Sequence, residues 1–221
     1  MYLPSGVYSG PSSSVPGGVS AVSLRQASRL WDGEAGLHPI DLDVASGEMV
    51  VVRGRSGTGK STLLALVAGV CVPGTGQVLV LGGAPKPDMP WSDLAIVPQV
   101  LALSAELSIE ENLADCAPEP GAAAVREAME QLGIAELARR TIGEVSMGQQ
   151  QRTAVARAMV ADPRVLLADE PTSFQDVRFT DVVVRALRSA AERGSAVLVA
   201  THDDAVAGAA DRVIELSVFA R

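Results

Sequence analysis

The stretch Gly54-Arg55-Ser56-Gly57-Thr58-Gly59-Lys60-Ser61-Thr62 has the pattern G-x-x-x-x-G-K-S and decides how the rest of the chain is interpreted. The apolar residues 49–52 precede it and are typical of a buried strand, while residues 63–68 are typical of a helix. Glycines let the backbone curl so that several N–H groups point at one anion, and the start of a helix adds its own unpaired N–H groups. This strand–loop–helix setting predicts a phosphate-binding loop.

Two side chains of this loop have predicted roles. Lys60 is expected to reach the β- and γ-phosphates of a nucleotide, and the Ser61 hydroxyl is expected to ligate Mg²⁺. The alternative is a glycine turn that caps an ordinary core helix. Average residue frequencies give this pattern by chance with a probability on the order of 1% in a chain of this length. We therefore predict nucleotide binding.

Composition limits the classes of partner. A chain of 221 residues suits one domain, or a core with a small second lobe. Hydrophobic residues make up 48% and aromatic residues only 3%, so alanine, valine and leucine must fill the core. The net charge of −8 argues against a nucleic-acid partner, because nucleic-acid binders usually carry a basic face.

Cysteine usage and hydropathy predict the cellular compartment of the chain and its relation to the membrane. Cys71 and Cys116 have no paired spacing, which favours a reduced, cytosolic compartment. No apolar run approaches the roughly 20 residues of a membrane-spanning helix. The longest run, residues 63–72, is interrupted by glycine. We expect a protein that is soluble by itself and that attaches to a membrane only through a partner.

The order of the patterns predicts an α/β fold. Residues 1–18 are rich in glycine, proline and serine, which predicts a disordered extension. Strand and helix patterns alternate in residues 19–99 and 163–221, beginning with β-structure, which predicts a core with a parallel sheet and an N-terminal β region. Helical patterns fill residues 100–162, including a capping box at Ser108. We therefore expect a helical lobe inserted into the α/β core.

A pair of carboxylates follows one of the predicted strands. Residues 165–168 are apolar and deliver Asp169 and Glu170 at the carboxyl end of the strand, where ligands bind in open α/β sheets. Taken alone, a strand that meets a polar turn is the better interpretation. Beside a phosphate loop, Asp169 is expected to hold Mg²⁺ directly or through water, opposite Ser61. Glu170 would then polarise the attacking water.

The segment Val145-Ser146-Met147-Gly148-Gln149 completes a family pattern. With it, residues 19–221 resemble the ATP-binding-cassette (ABC) ATPases, whose signature is usually L-S-G-G-Q. The resemblance implies a RecA-like P-loop NTPase core with an antiparallel β region and an inserted helical lobe. A serine cap and backbone N–H groups at a helix start suit an anion. In this family that anion is the γ-phosphate bound to the opposite subunit, which implies contacts from Ser146, Gly148 and Gln149.

The resemblance assigns four further positions. Gln99 matches the glutamine that senses Mg²⁺ and the γ-phosphate and couples the lobes, and Asp176 matches the aspartate of the D-loop. His202 matches the switch histidine near the γ-phosphate. Trp31 matches the aromatic residue, usually tyrosine, that stacks on adenine. Without this context, the histidine would more often be structural and the tryptophan would more often belong to the core.

Two departures from the family pattern stand out. Met147 puts a side chain where the family has glycine, and Phe174-Gln175 replaces the usual Ala-Leu of the D-loop. Neither departure removes a catalytic group. The compact size of the chain and its sequence in residues 201–216 are most similar to exporters of the lipoprotein-release and macrolide-export type.

The resemblance implies the ATP-hydrolysing subunit of a membrane transport complex, with ATP and Mg²⁺ as cofactors. Its partners would be a second copy or a related ATPase, with ATP at the interface, and an integral membrane permease that holds the pair on the cytoplasmic face. One alternative is a regulatory ATPase that signals through a membrane partner without transporting a substrate. A second is a DNA-repair or translation ATPase, which usually carries a coiled-coil insertion or two tandem cassettes; neither feature is present here.

Overall fold

The computed structural model describes residues 20–31, 35–116 and 121–217, so the predicted extension of residues 1–18 lies outside the described part. The strands found there are β1 (Ser20–Trp31), β2 (Ala35–Ala45), β3 (Met49–Gly54), β4 (Thr75–Val80), β5 (Leu94–Val97), β6 (Val165–Asp169), β7 (Ala196–Ala200) and β8 (Arg212–Leu216). The α-helices are α1 (Lys60–Val67), α2 (Ile109–Ala114), α3 (Ala122–Gln131), α4 (Met147–Val160), α5 (Val177–Glu192) and α6 (Asp204–Gly208).

A parallel five-stranded sheet forms the centre, in the order β5-β6-β7-β3-β8. Side chains of β3 alternate between its two faces: Met49 and Val51 enter one hydrophobic core, and Val50 and Val52 enter another. All four are fully buried. Layers cover both faces of this sheet, which explains why its strands are continuous apolar runs.

A second sheet, with the antiparallel order β2-β1-β4, covers one face of the central sheet. Its apolar side chains share a core with α1 and with the inner residues of β3, β6 and β7. The predicted α/β fold with an N-terminal antiparallel region is therefore confirmed.

Helices cover the other face of the parallel sheet. The helices α2 and α3 contact α4, and the buried residues of all three share a core with α5 and the sheet. The predicted capping box is present, because the Glu111 N–H donates to Ser108 Oγ while Glu111 Oε2 accepts from the Ser108 N–H. Within residues 20–31, 35–116 and 121–217, no helix has the length and apolar character needed to cross a membrane.

The topology places the predicted site residues at one edge. In a parallel sheet all carboxyl ends meet at the same edge. Residues 55–59 follow β3, Gln99 lies just beyond β5, Glu170 follows β6 and His202 comes shortly after β7. Four neighbouring strands thus deliver their following residues to one region.

Candidate nucleotide-binding site

The loop between β3 and α1 is closed by its own hydrogen bonds. The N–H and hydroxyl of Thr58 both donate to the Arg55 carbonyl, at 3.2 and 2.9 Å. The Lys60 ammonium donates to the carbonyl oxygens of Gly54 and Arg55, at 2.7 and 3.3 Å. Since Thr58 is buried beneath the loop, the loop presents its backbone and Lys60 to the cleft.

Gly59 joins this loop to the antiparallel sheet. It caps α1 with a φ of 95°, in the left-handed region that favours glycine. A Cβ at this position would lie 2.6 Å from both the Gly36 carbonyl oxygen and the Leu37 Cα. These are backbone atoms of β2, so any larger residue would force the two segments apart.

Asp169 ends β6 as a buried carboxyl beside the loop. Burial raises its pKa above the ordinary value, and the charge of Glu170 acts in the same direction. A hydrogen bond from the Ser61 hydroxyl and the charge of Lys60 both lower the pKa, but burial prevails. A cation at this point would favour the ionised carboxylate.

Glu170 is held by several contacts. Its backbone has a φ of 48°, and its N–H donates to the Ala200 carbonyl at 2.8 Å. Its Oε2 accepts from the Thr201 hydroxyl at 2.9 Å, and its Oε1 lies 3.0 Å from His202 Nδ1. The Gln151 side chain donates to its carbonyl oxygen at 3.4 Å. Neither Thr201 nor Gln151 was predicted from the sequence, and only the position of Thr201 beside His202 offered a signal.

A cleft of about 550 Å³ brings most of the predicted residues together. The predicted residues that line it are Trp31, Gly54, Arg55, Ser56, Gly57, Gly59, Lys60, Ser61, Thr62, Gln99, Asp169, Glu170 and His202. Ala35 and Gly36, which the sequence did not single out, line it as well. Of the predicted loop residues, only the buried Thr58 is absent from the lining.

Trp31 lines this cleft as the exposed last residue of β1. The guanidinium carbon of Arg29 lies 4.4 Å from the centroid of its ring system, a cation–π contact. Arg29 therefore covers one face of the indole. An aromatic ligand would stack on the opposite face.

The signature segment and Asp176 lie outside the cleft of their own chain. Ser146 caps α4 by accepting from the Gln149 N–H, and the Gln149 side chain accepts in turn from the Ser146 N–H. Met147 is exposed at the first position of the helix. Asp176 caps α5 by accepting from the Phe179 N–H at 3.0 Å. One chain alone does not bring these residues to Lys60.

The residues predicted to hold Mg²⁺ fit that ion. Ser61, Gln99 and Asp169 line one cleft and offer hydroxyl, amide and carboxylate oxygens, which are the hard ligands Mg²⁺ prefers. In the part of the chain that the structure describes, no cluster of three or more acidic, histidine or cysteine side chains forms a metal cage. An Mg²⁺ ion would take its other ligands from phosphate and water.

Comparison with known proteins gives consistent matches. A family model described as ABC transporter matches residues 37–173. An uncharacterized ABC transporter ATP-binding protein of Mycobacterium tuberculosis is 38% identical over 200 residues, which is 83% of this chain and 61% of the relative. The chain thus spans about three-fifths of that relative's length. A macrolide export ATP-binding/permease protein of Paracoccus denitrificans is 34% identical over 217 residues, covering 90% of this chain and 32% of the relative.

The fold matches solved cassettes. The dimeric post-hydrolysis state of an ATP-binding cassette bound to ADP and Pi superposes with a TM-score of 0.78 at 26% identity. The match covers 89% of this chain and 94% of that one.

Proposed function

Because the chain belongs to the ABC transporter family, we propose that it is the ATP-binding and ATP-hydrolysing subunit of a membrane transporter. The observation that carries this proposal is the single cleft that joins the phosphate loop, both carboxylates of β6, His202 and Trp31. Candidate groups for the base, the phosphates and the metal of a nucleotide thus line one cleft. The cleft is of the size at which small-molecule sites usually occur.

The phosphates of ATP would bind on the loop. The Lys60 ammonium, now on the carbonyls of Gly54 and Arg55, would turn to the β- and γ-phosphates. Ser61, Asp169 and Gln99, which line the same cleft, would hold Mg²⁺. When bound, Mg²⁺ neutralises charge on the β- and γ-phosphate oxygens.

The γ-phosphate would be cleaved by in-line attack of water. Glu170 orients the water and accepts its proton, since its carboxylate faces the cleft from the end of β6. His202 holds the carboxylate through Oε1 and lines the same cleft. Lys60 stabilises the charge that develops on the phosphate oxygens.

The site would be completed in trans. Ser146, Gly148, Gln149 and Asp176 lie at helix starts outside their own cleft, where N–H groups and the helix dipole favour an anion. In a dimer, these residues of one subunit would meet the ATP of the other. A homodimer, or a heterodimer with a related ATPase, would therefore enclose ATP at its interface. The dimeric relative bound to ADP and Pi supports this arrangement.

The dimer would act on an integral membrane permease from the cytoplasmic face. We divide the chain into an extension of residues 1–18, a core of residues 19–99 and 163–221, and a helical lobe of residues 100–162. The similarity to a macrolide export protein supports an exporter of the lipoprotein-release and macrolide-export type.

The direct test measures two properties of the purified chain: MgATP hydrolysis, and ATP-dependent dimerisation by sedimentation. Hydrolysis should depend on both Mg²⁺ and protein concentration, since only the dimer has complete sites. A chain that binds no ATP, or that hydrolyses it equally well as a dilute monomer, would contradict the proposal.

A further inference from the structure

The two departures from the family pattern lie close to one another in the fold. The carbonyl oxygen of Phe174 approaches the first turn of α4 so closely that a Cβ on Gly148 would lie 2.8 Å from it. This approach of one backbone to another requires glycine at position 148. Met147, the first residue of α4, therefore adjoins the segment of residues 172–176.

The Gln175 side chain bonds in two directions across this contact. Its Nε2 donates to the Gly148 carbonyl at 2.8 Å, and its Oε1 accepts from Arg152 Nη1 at 2.8 Å. Arg152 is only 4% exposed, and its guanidinium carbon lies 3.8 Å from the centroid of the Phe179 ring. Gln175 is thus tied to a helix backbone and to a buried, stacked cation. A leucine of similar volume would make neither hydrogen bond.

Burial of the Phe174 ring does not hold the segment of residues 172–176 in place. The Phe174 φ of 63° lies in the left-handed region, which bulky residues rarely adopt and which costs free energy. Its side chain is 70% exposed, so burial of the ring contributes little stability against this cost. The hydrogen bonds of Gln175 to Gly148 and Arg152 help to offset this cost, together with the bond from the Thr172 hydroxyl to Asp203 at 2.7 Å.

We propose that Gln175 is a positioning residue that clamps residues 172–176 to the first turn of α4. The two elements then move as one rigid unit. The inference rests on the proposed function, in which this turn and Asp176 meet the ATP of a second copy together. Association is tighter when the contacting groups are already ordered, because less conformational freedom is lost on binding.

Two substitutions break the bond to the Gly148 carbonyl in different ways. Gln175→Leu removes both hydrogen bonds at nearly constant volume. Gln175→Glu keeps an acceptor for Arg152 but has no donor for the carbonyl. Both are made in a Glu170→Gln background, in which ATP should hold the dimer closed. Gln131→Leu, at an exposed position on α3, is the matched control.

The dissociation constant of the ATP dimer is measured by sedimentation over a concentration series. It should rise about three- to tenfold in Gln175→Glu, the factor expected from one lost hydrogen bond, and at least as much in Gln175→Leu, which loses two. Amide exchange over residues 147–150 of the ATP-free monomer should accelerate in both. ATP affinity of the monomer should stay unchanged, as should every property of the Gln131 variant.

The results that would contradict the clamp differ from those that would contradict the proposed function. Unchanged amide exchange in both variants refutes the clamp, whatever the dimer does. So does an ATP dimer as tight as the parent in either variant, or a weakening confined to Gln175→Glu, which would be an effect of charge. A Glu170→Gln parent that fails to dimerise with ATP overturns the proposed function, and this inference with it.

Discussion

The carboxylate of Glu170 and the imidazole of His202 lie 3.0 Å apart, Oε1 to Nδ1, although 32 positions separate them in the chain. The Glu170 side chain is 14% exposed and that of His202 is 81% exposed. The histidine therefore reaches over the carboxylate from the solvent side, while Thr201 holds the other oxygen from within. The carboxylate is oriented before any ligand contacts it.

Glu170→Gln should slow ATP turnover by about a hundredfold or more, because the amide cannot accept a proton from water. The amide keeps the size of the side chain and can still bond Thr201 and His202, so ATP affinity should persist and the ATP-bound dimer should accumulate. Steady-state hydrolysis and nucleotide titration measure the two effects.

Lys60→Ala is the contrasting variant, since removal of the ammonium should weaken nucleotide binding itself. Turnover near the normal rate in Glu170→Gln would remove Glu170 from the proposed mechanism.

Asp169→Asn should raise the melting temperature at neutral pH without Mg²⁺. Burial raises the pKa of Asp169 in the folded protein, so its contribution to stability is full below the pKa of the unfolded chain. That contribution is lost as the pH rises through the folded pKa. The advantage of the asparagine should therefore shrink in acid, as thermal scans across a pH series would record. An advantage that grew toward low pH would contradict the buried-acid interpretation.

Arg29→Met should weaken ATP binding about two- to fivefold, the range of an exposed cation–π contact. Without the guanidinium, the indole of Trp31 loses the group that covers one face. Inorganic tripolyphosphate, which has no base, should bind equally well before and after the change. Competition titrations of both ligands provide the comparison.

The fluorescence of Trp31 should also change when ATP binds. It is measured in a Trp91→Phe background, because Trp91, which contacts Arg157, has a fluorescence of its own. In the Arg29→Met variant, an equal loss of affinity for ATP and for tripolyphosphate would mean that Arg29 supports the fold and not the binding of the base.

Local patterns predicted most of the residues that line the cleft. The loop around Lys60, the pair Asp169 and Glu170, and the capping box at Ser108 each depend on residues close in sequence, and each was found in the predicted setting. The contact of Gln151 with Glu170 spans 19 positions and that of Thr201 spans 31. Such contacts depend on how β6, β7 and α4 pack, and this packing cannot be derived from the periodicity or spacing of the residues.

Mixing Ser146→Ala subunits with Lys60→Ala subunits should restore hydrolysis that neither variant has alone. If the site forms in trans, both lesions fall on one of the two sites of a mixed dimer and leave the other intact. Activity of the mixture, relative to each homodimer, measures this recovery.

Ser108→Ala is the matched control for the lost helix cap. Both serines close capping boxes, so each alanine should cost stability of about 1 kcal/mol. The Ser108→Ala homodimer should keep ATP hydrolysis, whereas the Ser146→Ala homodimer should lose it, so the loss cannot be due to a weakened helix cap alone. Should the mixture stay inactive, Met147→Gly tests whether the exposed methionine blocks the approach, by raising activity or tightening the ATP dimer. No response to any change in residues 146–148 would refute the trans arrangement.

The backbone contact between Gly59 and Gly36 has a consequence for ligand length. The phosphate loop and the strand that follows Trp31 meet through main-chain atoms, with no side chain between them to yield. The distance from the start of the second strand to Lys60 is therefore set by main-chain packing, which no side-chain rotation can change. A nucleotide whose base rests on the indole delivers its β- and γ-phosphates to Lys60, whereas a nucleoside monophosphate has neither and falls short. Discrimination against nucleoside monophosphates can thus be built into the wall of the cleft.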